Sequence, residues 1–194
     1  MSAGSSAAPA ASAKRAAPGA AVVRDAGEGD LAAIQAIYAH HVLTGLGSFE
    51  EQPPDPAEIA KRFRAVADAG LPYLAAELDG KVVGYAYAAP FRPRPAYRHT
   101  VENSVYVAPG FEGRGIGRAL LVALIGRCTA SGKRQMIAVI GGGYDNVGSA
   151  KLHQALGFTQ VALLKSIGWK FGRWLDSLMM QLPLGPGDTK PPGG

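Results

Sequence analysis

The chain contains one cysteine, Cys128, so no disulfide can form within it. It has no apolar run of the roughly 18 residues that a membrane-spanning helix needs, and no membrane association is expected. Its Lys/Arg runs stop at two residues, and no basic face carries interleaved aromatics. That argues against a nucleic-acid partner, although the net charge is +5 and the pI about 9.4. The same basic balance suits an anionic small molecule. Internal repeats are absent. Residues 1–20 are almost all Ala, Ser, Gly and Pro, with Lys14-Arg15 but no apolar segment, so a secretory signal is not expected there. Residues 184–194 are rich in Pro and Gly, and both ends are expected to be disordered tails. The remaining span, 21–183, suffices for one α/β domain with a sizeable core. A cytoplasmic location is expected, and no bound metal.

What is there is organised around Thr100–Leu121. Val101–Val107 is rich in β-branched and aromatic residues and stops at Pro109-Gly110, which predicts a strand and a turn. From Ile116 the apolar residues Leu120, Leu121, Leu124 and Ile125 follow helical spacing. Gly113, Gly115 and Gly117 lie between. A strand, a glycine loop and a helix N-terminus make an anion trap. The first helical turn has unpartnered N–H groups and partial positive charge, and glycines let a phosphate approach. Arg114 and Arg118 add fixed charge. A tight turn before a core helix remains the alternative on spacing alone. A dinucleotide loop fits poorly. The pattern is Gly-x-Gly-x-Gly, and about 20 residues on stand Lys133 and Arg134 rather than an acid. A triphosphate loop fits worse, because Arg118-Ala119 follows Gly117.

In chain order, Ala21–Arg24 reads as a short strand. Asp30 is placed to cap a helix bearing Leu31, Ile34, Ile37, Tyr38 and His41 on one side. Asp55-Pro56-Ala57-Glu58 supplies an N-cap, a first-position proline and a capping-box acid for a second helix that Gly70 ends. Asp79-Gly80 predicts a hairpin between Pro72–Leu78 and Val82–Ala89. After the central strand and the glycine-loop helix come a strand over Gln135–Ile140 and a short helix from Asn146 to Leu156. Two further strands, Thr159–Leu164 and Trp174–Leu182, finish the chain. The order β-α-α-β-β-β-α-β-α-β-β predicts a mixed sheet with helices on both faces. Cys128, four residues after Leu124, reads as a core thiol rather than a nucleophile.

Glu112-Gly113-Arg114-Gly115-Ile116-Gly117 resembles the Gln/Arg-x-x-Gly-x-Gly/Ala loop of the GNAT acetyltransferases, with Glu112 departing from the usual Gln or Arg. Five further blocks resemble the phosphinothricin and methionine sulfoximine N-acetyltransferases: Tyr38–Val42, Phe91–Arg94, Thr100–Val107, Leu152–Phe158 and Lys170–Asp176. Gly141-Gly142-Gly143-Tyr144 is more glycine-rich than that group usually is. The resemblance covers about residues 21–183. It implies the α/β GNAT fold: a mixed, mostly antiparallel central sheet of about seven strands with about four helices. It implies acetyl-CoA as co-substrate. Gly113, Arg114, Gly115, Ile116, Gly117 and Arg118 would hold the pyrophosphate. The backbone of Val105, Tyr106 and Val107, and Asn146, would hold the pantetheine. It also implies a homodimer, for which the 44–49 loop and the 167–174 block are candidate surfaces.

Glu102 lies in a strand otherwise apolar or small, where a carboxylate is costly without a partner. It is either a surface-facing residue or a general base. An amine of pKa about 9 must lose a proton to attack a thioester, at a cost of about 2.7 kcal/mol at pH 7, and a carboxylate can take it. The resemblance assigns Glu102 to the substrate site. Arg92 and Arg94, two apart in a Pro-stiffened segment, would face one way if extended and could clamp a carboxylate or phosphinate. An ordinary solvated basic loop is the alternative. His153 stands where many GNAT enzymes have a Tyr that protonates the departing thiolate; it could equally pack and hydrogen-bond locally. Together these imply acetylation of the α-amine of a small amino acid or analogue by direct transfer. The rivals are a GNAT enzyme for another amine or a protein N-terminus, and a non-catalytic acyl-CoA-binding regulator.

Overall fold

The structure, a computed structural model, describes residues 19–192. The expected N-terminal tail therefore lies almost wholly outside the described residues. Asp79 and Gly80, with φ of 50° and 75°, form the left-handed pair of a tight hairpin turn. It joins β2 (Tyr73–Leu78) to β3 (Lys81–Pro90), and β1 (Val22–Asp25) pairs antiparallel with β2. The central strand β4 (Thr100–Val107) pairs antiparallel with β3 along its length. Helix α3 (Ile116–Ala130) then crosses to β5 (Gln135–Gly141), which runs parallel to β4 as a crossover connection allows. The hairpin β6 (Thr159–Lys170) and β7 (Arg173–Pro183) closes the other edge. The seven-stranded order is β1-β2-β3-β4-β5-β7-β6. The sheet is mixed and mostly antiparallel, as the resemblance to the GNAT fold implies.

Helices α1 (Leu31–Thr44) and α2 (Pro56–Asp68) cover one face, burying Ile34, Ile37, Val42 and Ile59 around Tyr85. Helix α3 and the short α4 (Val147–Gln154) cover the other, where Leu120, Leu121 and Leu124 pack on Ala86, Val101 and Met136. Each fully buried leucine stabilises by about 1.5–3 kcal/mol relative to exposure. Cys128 belongs to this core, and burial pushes its thiol up to about 11. Among the described residues no helix is long and apolar enough to cross a membrane.

The caps divide. Asp55 accepts the Glu58 N–H at 2.8 Å and starts α2 as expected. Asp30 does not cap α1. Its carboxylate is held by Arg24 through two bonds of 2.8 Å and by the Gly27 N–H, and a short helical turn, Glu28–Asp30, leads into α1. Strand β6 is also longer than its pattern predicts. Its register with β7 shifts between Leu164 and Gly168, and Ser166 adopts φ 51° while its N–H donates to Asp176 Oδ1 at 2.8 Å. Such a bulge breaks the period-two pattern that marks a strand. Phe171 and Gly172, at φ 52° and 73°, then make the β6–β7 turn. At the C-terminal end, Leu184 is buried in the core, so packing extends past residue 183.

Candidate active site

Strands β4 and β5 pair only at their beginnings, Thr100–Asn103 against Gln135–Ala138. Beyond that β5 stays on β7 through Gly141, and a gap opens along β4. The antiparallel ladder decides what β4 offers to the gap. Phe91 N–H bonds Thr100 O and Ala108 N–H bonds Val83 O, so even-numbered residues between them bond toward β3. Odd-numbered residues face the gap. Val105 therefore presents its N–H and C=O there, and Val107 its N–H. The Val107 carbonyl accepts from His41 Nε2 at 2.8 Å. Tyr106, expected alongside them, has its backbone groups on the β3 side. Its ring packs instead against Tyr38 and Tyr85, at 5.2 and 5.3 Å between centroids.

At the apex of the fork Asn103 is buried. Its Nδ2 donates to Ile137 O, and its Oδ1 lies 3.0 Å from His153 Nε2. His153 is only 2 % exposed, and its Nδ1 donates to Ser149 O at 2.8 Å. Burial lowers the imidazole pKa below its ordinary value, and the Ser149 bond opposes this. Both ring nitrogens are thus engaged inside the protein.

At the far end of the gap, Gly113 and Gly115 have φ of 73° and 79°, which glycine adopts without strain. A Cβ on either would meet nothing within 4 Å. Gly115 precedes α3 with no side-chain cap, which leaves the first-turn N–H groups open to a ligand. Gly117 differs: a Cβ there would press on Leu152 and Val107, and Ile116 is buried beneath the loop. Glu112 folds back to accept the Gly110 N–H at 2.7 Å. Arg114 stacks over Phe111, and Arg118 lines the cleft. Asn146 accepts the Ser149 N–H as the N-cap of α4, and its Nδ2 reaches Gly141 O. These elements enclose a cleft of about 740 Å³ that runs from the glycine loop along β4 to Asn103 and His153.

Glu102 lies on the other face of β4, beneath the α1–α2 side. It is half-buried, and burial raises its carboxyl above the ordinary carboxylate range while Arg92 pulls it back. Tyr73 and Tyr87 stack there, 4.9 Å apart. Glu50 reaches the same region, bonded to Arg62 Nη1 at 2.6 Å and to the Tyr38 hydroxyl. Arg92 is exposed over the Phe91 ring. Arg94 is also exposed, but it opens a short helical turn, Pro95–Tyr97. Arg94 itself is extended, at φ −93° and ψ 138°, and the turn begins after it. Of the two arginines, Arg92 is the one whose charge lowers the Glu102 carboxyl.

The sequence profile of the Acetyltransferase (GNAT) family matches residues 32–158. The phosphinothricin N-acetyltransferase of Alcaligenes faecalis is 57% identical over 171 residues, 88% of this chain and 85% of that protein. The chain belongs to the GNAT acetyltransferase family. The L-methionine sulfoximine/L-methionine sulfone acetyltransferase of Salmonella typhimurium is 41% identical over 162 residues, 84% of this chain and 94% of its own. A GNAT phosphinothricin acetyltransferase from Sinorhizobium meliloti, solved in complex with acetyl-CoA, superposes with a TM-score of 0.87 at 51% identity. It covers 90% of this chain and 94% of that one.

Sequence reasoning missed Asn103 as a site residue of this GNAT chain. The available signal was a second polar residue, beside Glu102, in an apolar strand. It also missed His41, whose place on an apolar helix face gave no hint of a bond to β4.

Proposed function

We propose that this GNAT enzyme transfers the acetyl group of acetyl-CoA directly to the α-amine of a small amino acid or analogue of the phosphinothricin, methionine sulfoximine or methionine sulfone type. The observation that carries this reading is the half-buried Glu102, with its raised carboxyl pKa, across β4 from the cleft. The residues present fit acetyl-CoA. The open N-terminus of α3 and the uncrowded Gly113 and Gly115 suit a pyrophosphate. The free edge of Val105 and Val107 suits the pantetheine amides in the manner of an added strand. Glu102 takes the proton of the attacking amine as the nitrogen–carbon bond forms and the carbon–sulfur bond breaks. The CoA sulfur departs as the thiolate and takes its proton from solvent, the ordinary thiol pKa being about 8.5. Cys128, buried with its thiol near 11, supports direct transfer over a covalent intermediate.

Arg92, close to Glu102, would hold the acceptor's anionic end, with Arg94 a second contact. A homodimer is part of the proposal. Ile167, Trp169, Phe171 and Trp174 are each more than half exposed on the β6–β7 hairpin, an apolar patch that a second copy would cover. Light scattering at micromolar concentration is expected to report a dimer; a monomer rejects that part.

The test of function is a CoA-release screen with acetyl-CoA against phosphinothricin, methionine sulfoximine, methionine sulfone, spermidine and a peptide with a free N-terminus. Turnover with the amino-acid analogues and none with spermidine is expected. Turnover with the peptide alone would move the acceptor to protein N-termini. No turnover with tight acetyl-CoA binding would favour a regulator.

A further inference from the structure

Lys170, at the end of β6, is only 3 % exposed. Its Nζ donates to Ser48 O at 2.7 Å and to Gly45 O at 3.1 Å. Two backbone carbonyls of one loop thus meet a buried ammonium in charge-assisted bonds. The loop it grips, residues 45–49, is seated on glycines. A Cβ at Gly141 would overlap Leu46 O, one at Gly142 would meet Leu46 Cβ at 2.7 Å, and one at Gly168 would overlap the Phe49 ring. The glycine-rich stretch after β5 and Gly168 therefore form a slot filled by the chain itself. The loop has two functional sides. Gly45, Leu46 and Gly47 line the cleft. Ser48 Oγ bonds the Tyr38 hydroxyl at 2.9 Å, and Tyr38 packs on Tyr106 on the Glu102 side.

We propose that Lys170 is a positioning residue: it clamps the 45–49 loop as the wall between the cofactor cleft and the acceptor face. This rests on the acetyltransferase reading of the site. Lys170 touches neither the cleft nor Glu102, so its effect on the acceptor passes through Ser48 and Tyr38. Acetyl-CoA is held mainly by the glycine loop and the edge of β4, so its affinity is expected to change less than acceptor KM.

The experiment compares wild type with Lys170→Met, which keeps the side-chain length and removes the ammonium. Two readouts are taken: amide hydrogen exchange across 44–50, and steady-state kinetics with the best amine from the screen. Exchange of the 45–49 amides is expected to rise about tenfold or more, the scale of one lost charge-assisted bond, with the amides of β5 and β7 unchanged. Acceptor KM is expected to rise by a similar factor, with acetyl-CoA Kd held within about threefold. Gly168→Ala gives an independent approach should Lys170→Met fail to fold. It pushes Phe49 from its slot with Lys170 intact, and is expected to raise acceptor KM likewise. Unchanged exchange at 45–49 in the folded variant overturns the clamp. Raised exchange with unchanged acceptor KM overturns its role in acceptor binding. If wild type acetylates no amine, the acetyltransferase reading fails, and the exchange comparison still decides whether Lys170 holds the loop.

Discussion

The odd and even residues of β4 meet different surroundings. Val101, Asn103, Val105 and Val107 lie toward α3 and α4, with the cleft, the glycine loop and His153. Glu102 and Tyr106 lie toward α1 and α2, among stacked tyrosines, with Glu50 bonded to Arg62 and Tyr38 on the same side. Strand alternation creates this division, because neighbouring side chains point to opposite faces. The consequence is chemical. One eight-residue strand presents free backbone amides on its edge, a half-buried carboxylate on one face and a buried imidazole contact on the other. On the proposed mechanism, binding and proton transfer depend on different residues, although those residues adjoin in sequence.

That separation can be broken by mutation. The largest effect is expected from Glu102→Gln, which removes the base and keeps the shape. Turnover should fall by about 10² or more, the usual scale of general acid–base catalysis, with acetyl-CoA affinity in calorimetry unchanged. Full turnover at neutral pH would move the base elsewhere. Gly115→Asp probes the opposite side. Aspartate tolerates the positive φ better than most residues, but its charge opposes a pyrophosphate at the helix N-terminus. Acetyl-CoA should bind about tenfold more weakly, the scale of one such helix-terminus and charge interaction, with acceptor KM unaltered. Arg92→Ala sharpens the acceptor side with a smaller effect. Burial raises the Glu102 carboxyl above 4.5 and Arg92 lowers it. The acid limb of the kcat/KM profile, which reports the free enzyme, therefore lies above the ordinary carboxylate range, and removing Arg92 moves it to higher pH. Arg94→Ala, which removes no group acting on Glu102, leaves the limb in place.

Much of the framework was legible because its signals are local. Asp79-Gly80 encodes its own turn, Asp55-Pro56 its own helix start, and the apolar spacing after Ile116 its own helix. Asp30 misled because a distant competitor, Arg24, takes the carboxylate that would cap α1. The extended β6 was hidden by its bulge at Ser166, which shifts the alternation midway. Site features joined across long separations left no local trace. The Asn103–His153 bond spans 50 residues and the Lys170–Ser48 bond 122. The three glycines at 141–143 make a second glycine-rich stretch beside the one at 113–117. Space distinguishes them: their Cβ positions are already taken by Leu46, Phe49 and Asp176, whereas those at Gly113 and Gly115 are empty. Glycine content alone cannot tell a site left open for a ligand from one filled by the protein.

The central claim is that the unpaired edge of β4 receives acetyl-CoA, and residue-resolved amide exchange with and without it tests this most directly. The Val105 and Val107 N–H groups face the gap, and the Tyr106 N–H already faces β3. Binding is expected to slow exchange at Val105 and Val107 and to leave Tyr106 slow throughout. Saturating acetyl-CoA that leaves Val105 exchanging at its free rate would contradict the account.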